Sequence, residues 1–186
     1  NVWENERLLS FTPRAVVDER SRRRTMSPDD EINHIALAEN CKQLNDAGVS
    51  VQLGAHGQLQ GLGAHWELWM FAQGGMTNME ALRAATLNGA WYIGMDHELG
   101  SLEAGKLADL IVLDANPLED IRHSESVRYT MINGRLYDAR SMDEIGNHPE
   151  KRLAFYWEKP GASEAFVWQG EATGYMPGGC GCFATH

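Results

Sequence analysis

The spacing of apolar residues in the first half of the chain predicts helices. Residues 13–24 have a weak helical pattern with Thr12 as the N-cap. A clearer helix is predicted from Ser27, which acts as a cap, to Gly48, where the helix stops. The apolar residues along this second helix are Ile32, Ile35, Cys41 and Leu44.

Residues 49–53 alternate apolar and polar side chains, which predicts a short strand. A glycine-rich stretch, residues 54–69, follows it and contains His56 and His65. Residues 65–73 predict a short apolar helix that is ended by two glycines. A helix, then a strand, then a glycine-rich loop is an order typical of an α/β protein.

Two further short helices are predicted before residue 100. Thr77 and Glu80 have the spacing of a capping box, in which each side chain satisfies a backbone N–H of the other residue. This box begins a helix over residues 81–86, and another is predicted over residues 90–93.

The second half of the chain predicts strands. Residues 100–106 have the composition of a turn, and residues 108–113 are a nearly continuous apolar run that suits a buried strand. Residues 127–132 and 135–137 flank Asn133-Gly134, a strong signal for a two-residue hairpin turn. Beyond residue 140 the chain is rich in glycine and aromatic residues, which predicts docking without regular structure.

Composition and charge limit the class of partner. The chain has 186 residues, of which 43% are hydrophobic and 23% charged, as in an ordinary globular protein. Its formal net charge of −10 argues against nucleic acid or an anionic membrane as a partner. It has no run of 18 apolar residues, and the compartment is left open because the chain begins without a methionine.

Three cysteines are too few for a disulfide framework in a chain of this length. Cys180 and Cys182, with His186 four residues later, could bind a soft metal. A structural zinc site needs four ligands and a wider Cys–Cys spacing. A disordered glycine-rich end is the alternative interpretation.

Three segments carry a resemblance to a known family. Residues 76–90, the piece Gly-Ser-Leu-Glu-Ala-Gly-Lys-Leu-Ala-Asp-Leu-Ile-Val-Leu-Asp over residues 100–114, and residues 127–137 resemble the C-terminal end of the amidohydrolase superfamily. The resemblance is to its imidazolonepropionase-like branch. Residues 54–69, together with the arginine-rich start, further resemble the amidohydrolase portion of bacterial proteins that carry a TolB-type propeller.

The resemblance implies an α/β fold class, as the C-terminal fragment of a metal-dependent hydrolase (β/α)8 barrel plus part of a small β-sandwich. Residues 49–53 would be the eighth barrel strand. Residues 1–98 would be the last portion of the barrel, 99–140 the strands of the sandwich, and 141–186 a tail.

The resemblance also implies a divalent metal, zinc in the first instance, in the full-length protein. Such a metal polarises the scissile carbonyl and lowers the pKa of bound water. Family members take ligands from a His-x-His on the first strand and from later strands, and this chain has no His-x-His. We therefore expect no metal to be held by this chain alone.

His56 stands where the family has an aspartate at the end of the eighth strand. By that position it is the candidate catalytic residue and metal ligand, since an imidazole can act as a base or a ligand near neutral pH. The alternatives are a hydrogen-bonded loop histidine and an inactive site.

Several other residues are weaker candidates for the functional site. Gln58 and Gln60 are candidate substrate-binding residues, or simply solvated. His65 and Glu67 are expected to form a buried pair that organises the barrel floor or the pocket wall rather than a catalytic pair. Trp66, Trp69 and Trp91 are expected in the core rather than in a substrate platform.

The resulting hypothesis is a metal-dependent amidohydrolase that acts on a small amide, cyclic amide or peptide-like substrate, present here as its C-terminal part. The alternative is a non-catalytic amidohydrolase-like scaffold or binding module. Isolated barrel elements would expose apolar surface, so we also expect a homo-oligomer or association with the missing part of the barrel.

Overall fold

The structure is a computed structural model that describes residues 2–21, 28, 31–56, 59 and 61–159. The chain divides into two compact units, Asn1–Arg22 with Leu153–His186, and Arg23–Arg152. The three-part division expected from the sequence stays a prediction.

The described part of the first unit is helical. It contains a 3-10 turn at Val2–Glu4, α1 at Glu6–Phe11, α2 at Arg14–Ser21, and a 3-10 turn at Tyr156–Glu158. The Asn5 side chain caps α1 by accepting a hydrogen bond from the Leu8 backbone N–H at 2.8 Å. The weak helical pattern after Thr12 is thus confirmed as α2, within the described residues.

In the described part of the second unit, four α-helices precede the sheet. They are α3 at His34–Asp46, α4 at Leu62–Gln73, α5 at Asn78–Ala84 and α6 at Leu87–Tyr92. The predicted stop of α3 is confirmed, because Gly48 has a positive φ of 83°. The predicted start is wrong in the described residues, because α3 begins at His34 after Asn33, and Ile32 precedes the helix. The predicted cap Ser27 itself lies outside the described residues. The Thr77–Glu80 capping box is also confirmed, with both of its reciprocal hydrogen bonds formed.

The core of this unit lies between α4, α5 and a later 3-10 turn. Its buried members are Leu68, Phe71, Met76, Ala81, Ala84 and Ile121. Helix α3 packs closely on the end of α4, since a Cβ placed on Gly74 would lie 2.3 Å from the carbonyl carbon of Ala38. The two helices can approach this far only because residue 74 has no side chain.

A small antiparallel sheet follows, in the order β1-β2-β3. Its strands are β1 at Leu110–Leu113, β2 at Val127–Ile132 and β3 at Arg135–Asp138. Asn133 and Gly134, with φ of 49° and 77°, make the predicted hairpin turn between β2 and β3. The molecule is therefore mixed helix and strand.

Two strand predictions need correction. Strand β1 is not buried: it lies at an edge of the sheet, and Ile111 and Val112 are 51% and 41% exposed. Residues 49–53 form no strand, since a strand requires a hydrogen-bonded neighbour and they pair with none of the described strands. Instead, the Leu53 N–H donates to Ala84 of α5 at 3.1 Å, and the Asn88 side chain donates to the Val51 carbonyl at 2.9 Å.

Among the described residues, no helix has the length and apolar character needed to cross a membrane.

Candidate functional site

His56 lies on a turn, three residues after the segment 49–53. Its φ is +54°, in the left-handed region that costs a residue with a Cβ about 1 kcal/mol. The residue is exposed. The fold therefore presents the imidazole at the surface of a constrained turn, where a small molecule could reach it.

Helix α4 holds this turn at two points. The Glu67 carboxylate accepts the Gly54 backbone N–H through both of its oxygens, at 3.0 and 3.1 Å. Farther along the turn, the Gly63 N–H donates to the Leu59 carbonyl at 2.9 Å. A Cβ placed on Gly63 would lie 3.7 Å from the Ala55 Cβ, so the first turn of α4 lies directly against the residue before His56.

His65 and Glu67 do not form the pair expected from the sequence. Residues two positions apart on a helix point to different sides of it, and here each has its own partner. The His65 Nδ1 lies 3.0 Å from the Ser124 Oγ, whereas Glu67 binds Gly54. The contacts of the two residues are therefore separate, and the structural role expected for them stays a prediction.

Ser124 was not singled out by sequence reasoning, yet it links α4 to the segment before β2. It is only 2% exposed, and its Oγ accepts the Trp69 Nε1–H at 3.2 Å. The same oxygen lies 3.0 Å from the Nδ1 of His65, so the Ser124 hydroxyl joins two side chains of α4. No motif in the sequence marks this serine, because its partners lie 59 and 55 residues away.

The three tryptophans predicted for the core differ in their burial. Trp69 is partly buried and packs against the core, with the guanidinium of Arg122 5.8 Å from the centre of its ring. Trp66 is also partly buried. For Trp91 the core prediction is wrong, since its side chain is 59% exposed at the end of α6.

The remaining candidates lie outside the described residues. They are Gln58 and Gln60 of the turn, and Cys180, Cys182 and His186 of the C-terminal tail. Their expected roles stay predictions.

The residues of this chain can be tested against the metal that the family resemblance implies. Within residues 2–21, 28, 31–56, 59 and 61–159, no three His, Cys, Asp or Glu side chains are grouped so that they could hold a metal ion. Three or four protein ligands are usual even in a catalytic zinc site. The described residues thus do not by themselves fit a metal centre, and the role of His56 as a ligand stays a prediction.

Comparison with known proteins places residues 36–137 in the amidohydrolase family model. Imidazolonepropionase of Geobacillus sp. is 38% identical over 90 residues, which are 48% of this chain and 18% of that protein. Ochratoxinase of Aspergillus niger is 37% identical over 95 residues, which are 49% of this chain and 20% of that protein.

A crystal structure of a Xaa-Pro dipeptidase with methionine bound in its active site is similar to this fold. Its TM-score is 0.50 at 33% sequence identity, and the match covers 54% of this chain and 25% of that one. The chain thus spans about a fifth of the length of these two curated relatives and a quarter of the solved structure.

Proposed function

This chain belongs to the amidohydrolase family, and from that premise we propose that it is the C-terminal part of a metal-dependent amidohydrolase. The reaction is hydrolysis of a C–N bond in a small amide, cyclic amide or peptide-like molecule. The substrate class is supported by the relatives, which include an imidazolonepropionase and a Xaa-Pro dipeptidase.

The proposed architecture is the end of a (β/α)8 barrel followed by part of a small β-sandwich. In it, residues 49–53 are the last barrel strand, which would gain its hydrogen-bonded neighbours from barrel strands outside this chain. The helices α4 to α6 then close the barrel, and β1 to β3 belong to the sandwich. The packing of Val51 and Leu53 against the core supports this placement.

His56 is the proposed catalytic residue. Catalytic residues of such barrels lie on the loops that follow the strands, and His56 is exposed on the turn after residues 49–53. This position is the observation that carries the proposal. Amide hydrolysis needs a proton removed from the attacking water and a proton delivered to the leaving nitrogen, and an imidazole can do both near neutral pH.

The proposal that the full-length protein depends on a metal rests on its family. Because the described residues do not by themselves fit a metal centre, the other ligands would come from elsewhere in the protein, with zinc as the expected ion. The proton-transfer role of His56 does not depend on its being a ligand.

A second candidate function is a non-catalytic scaffold that keeps the amidohydrolase fold. It is favoured by one observation, the histidine at the position where the family resemblance expects an aspartate. An imidazole is bulkier than a carboxylate and lacks its negative charge.

The two functions are separated by kinetics and metal analysis on the full-length protein. An Xaa-Pro dipeptide, an N-acyl amino acid and a five-membered cyclic amide are assayed as substrates with His56→Ala and His56→Asp. His97→Ala is the matched control, since His97 is an exposed histidine in a turn.

If His56 transfers protons, His56→Ala lowers kcat/KM by about 10² to 10⁴ while the control keeps native turnover. Equal turnover in His56→Ala and in the control His97→Ala would show that His56 takes no part in the reaction. A metal-free native protein with no turnover on any of the three substrates would support the scaffold.

A further inference from the structure

The turn that carries His56 is anchored by a charged side chain whose position in the sequence does not reveal its role. Glu67 lies on α4, and both of its carboxylate oxygens accept the backbone N–H of Gly54, two residues before His56. A carboxylate is a stronger acceptor than a neutral group, and its hydrogen bonds fix geometry more firmly. We infer that Glu67 is a positioning residue that sets the orientation of the His56 imidazole through Gly54.

The geometry of the turn makes such an anchor necessary. A left-handed φ at a residue with a side chain persists only where surrounding contacts impose it. Downstream of His56 the chain is held by the Gly63 N–H on the Leu59 carbonyl. Upstream, the hydrogen bond between Glu67 and Gly54 is the contact that joins the start of the turn to the same helix.

Both contacts are made by residues of α4. Gly63 and Glu67 are four residues apart, so they lie on one face of the helix. Loss of the Glu67 carboxylate would remove the acceptor of the Gly54 N–H, so the backbone two residues before His56, and with it the direction of the imidazole, would be held less firmly.

This inference rests on the proposed function only where it concerns catalysis; the anchoring itself is measurable without a substrate. In the full chain, labelled for NMR, the exchange of the Gly54 amide and the ring resonances of His56 are measured in Glu67→Ala and Glu67→Gln. Gln73→Ala is the control, because Gln73 is exposed at the other end of α4.

We expect the Gly54 amide to exchange about tenfold faster in Glu67→Ala than in the native chain, with shifted His56 ring resonances. Glu67→Gln keeps one acceptor oxygen and gives an intermediate rate, and the control matches the native chain. Native exchange and native resonances in Glu67→Ala would overturn the inference. If that variant does not fold, Glu67→Gln decides: exchange faster than in Gln73→Ala supports the inference, and equal exchange overturns it.

A kinetic cycle on the full-length protein separates this inference from the proposed function. If Glu67 acts through His56, Glu67→Ala lowers kcat with little change in KM, and it has no further effect in the His56→Ala background. Full turnover of His56→Ala, together with NMR changes in Glu67→Ala, would refute the catalytic proposal and leave the anchoring intact. If Glu67→Ala lowers kcat by the same factor in the His56→Ala background as in the native protein, Glu67 does not act through His56.

Discussion

The carboxylate of Asp109 accepts a hydrogen bond from the backbone N–H of Asn133 at 2.5 Å. Asp109 belongs to the segment that carries the family resemblance, and Asn133 is the first residue of the hairpin turn between β2 and β3. A second bond joins the same regions, because the Gly134 N–H donates to the Ala108 carbonyl at 3.1 Å. The aspartate of the motif therefore fastens a turn of the sheet.

Asp109→Ala should lower the free energy of unfolding by about 1–2 kcal/mol, because the Asn133 N–H loses a charged acceptor. Asp109→Asn keeps an acceptor oxygen and should lose less. Urea unfolding followed by circular dichroism measures both. Equal losses in the two variants would contradict the role assigned to this hydrogen bond.

Gly74→Ala should lower the free energy of unfolding by about 1–3 kcal/mol, because the new Cβ would collide with the backbone of Ala38. Gly89 in α6 offers a matched control, since a Cβ there meets nothing within 4 Å. Gly89→Ala should be neutral or stabilising by up to about 1 kcal/mol. Similar denaturant midpoints for the two variants would show that α3 and α4 do not approach as described.

Ser124→Ala should destabilise the protein by about 1–2 kcal/mol, because the Trp69 N–H loses its acceptor and His65 loses the hydroxyl beside its ring. A double-mutant cycle with Trp69→Phe isolates the contact. If the bond exists, the two losses are not additive. Strict additivity in urea unfolding would argue against it.

Stability should fall in acid, in part through Glu80. The hydrogen bond from the Thr77 backbone N–H holds the pKa of Glu80 below its ordinary value of 4.5. A carboxyl whose pKa is lower in the folded state stabilises fully above its unfolded pKa, and this contribution is lost as the pH falls through the folded pKa. The free energy of unfolding should therefore decline below about pH 4.5.

The control for this acid sensitivity is Glu80→Gln, which removes the titrating group. Its stability should depend less on pH than that of the native chain. Some dependence should remain, because the hydrogen bond from Arg135 lowers the pKa of Glu144 as well. Identical pH profiles for variant and native protein, from urea unfolding at a series of pH values, would contradict the shift at Glu80.

The 186-residue chain by itself should associate with a second copy. Several large apolar side chains are more than half exposed, and contiguous apolar surface favours association. They include Leu37, Trp91, Tyr92, Ile93 and Leu102. Sedimentation should give a mass above the 20.7 kDa of one chain, and Tyr92→Lys with Ile93→Lys should reduce it. A native monomer would contradict the expectation.

The local elements of the chain were determined by the sequence alone. The capping box at Thr77, the helix stop at Gly48 and the Asn133-Gly134 hairpin were all predicted correctly, because each depends on backbone conformations and hydrogen bonds within a few residues. The amidohydrolase family was also predicted from contiguous segments. In each case the cause and its effect lie within one short stretch of chain.

The tertiary structure decided what distant segments do to each other. It gave Glu67 the backbone of Gly54 as its partner in place of His65, and it brought the unmarked Ser124 to two side chains of α4. In the tertiary structure, residues 49–53 also have no strand neighbour among the described residues, and β1 is exposed at an edge of the sheet. Hydrogen-bond partners more than ten residues apart, like burial and strand pairing, are set by which surfaces pack together, and no short-range pattern in the sequence encodes that packing.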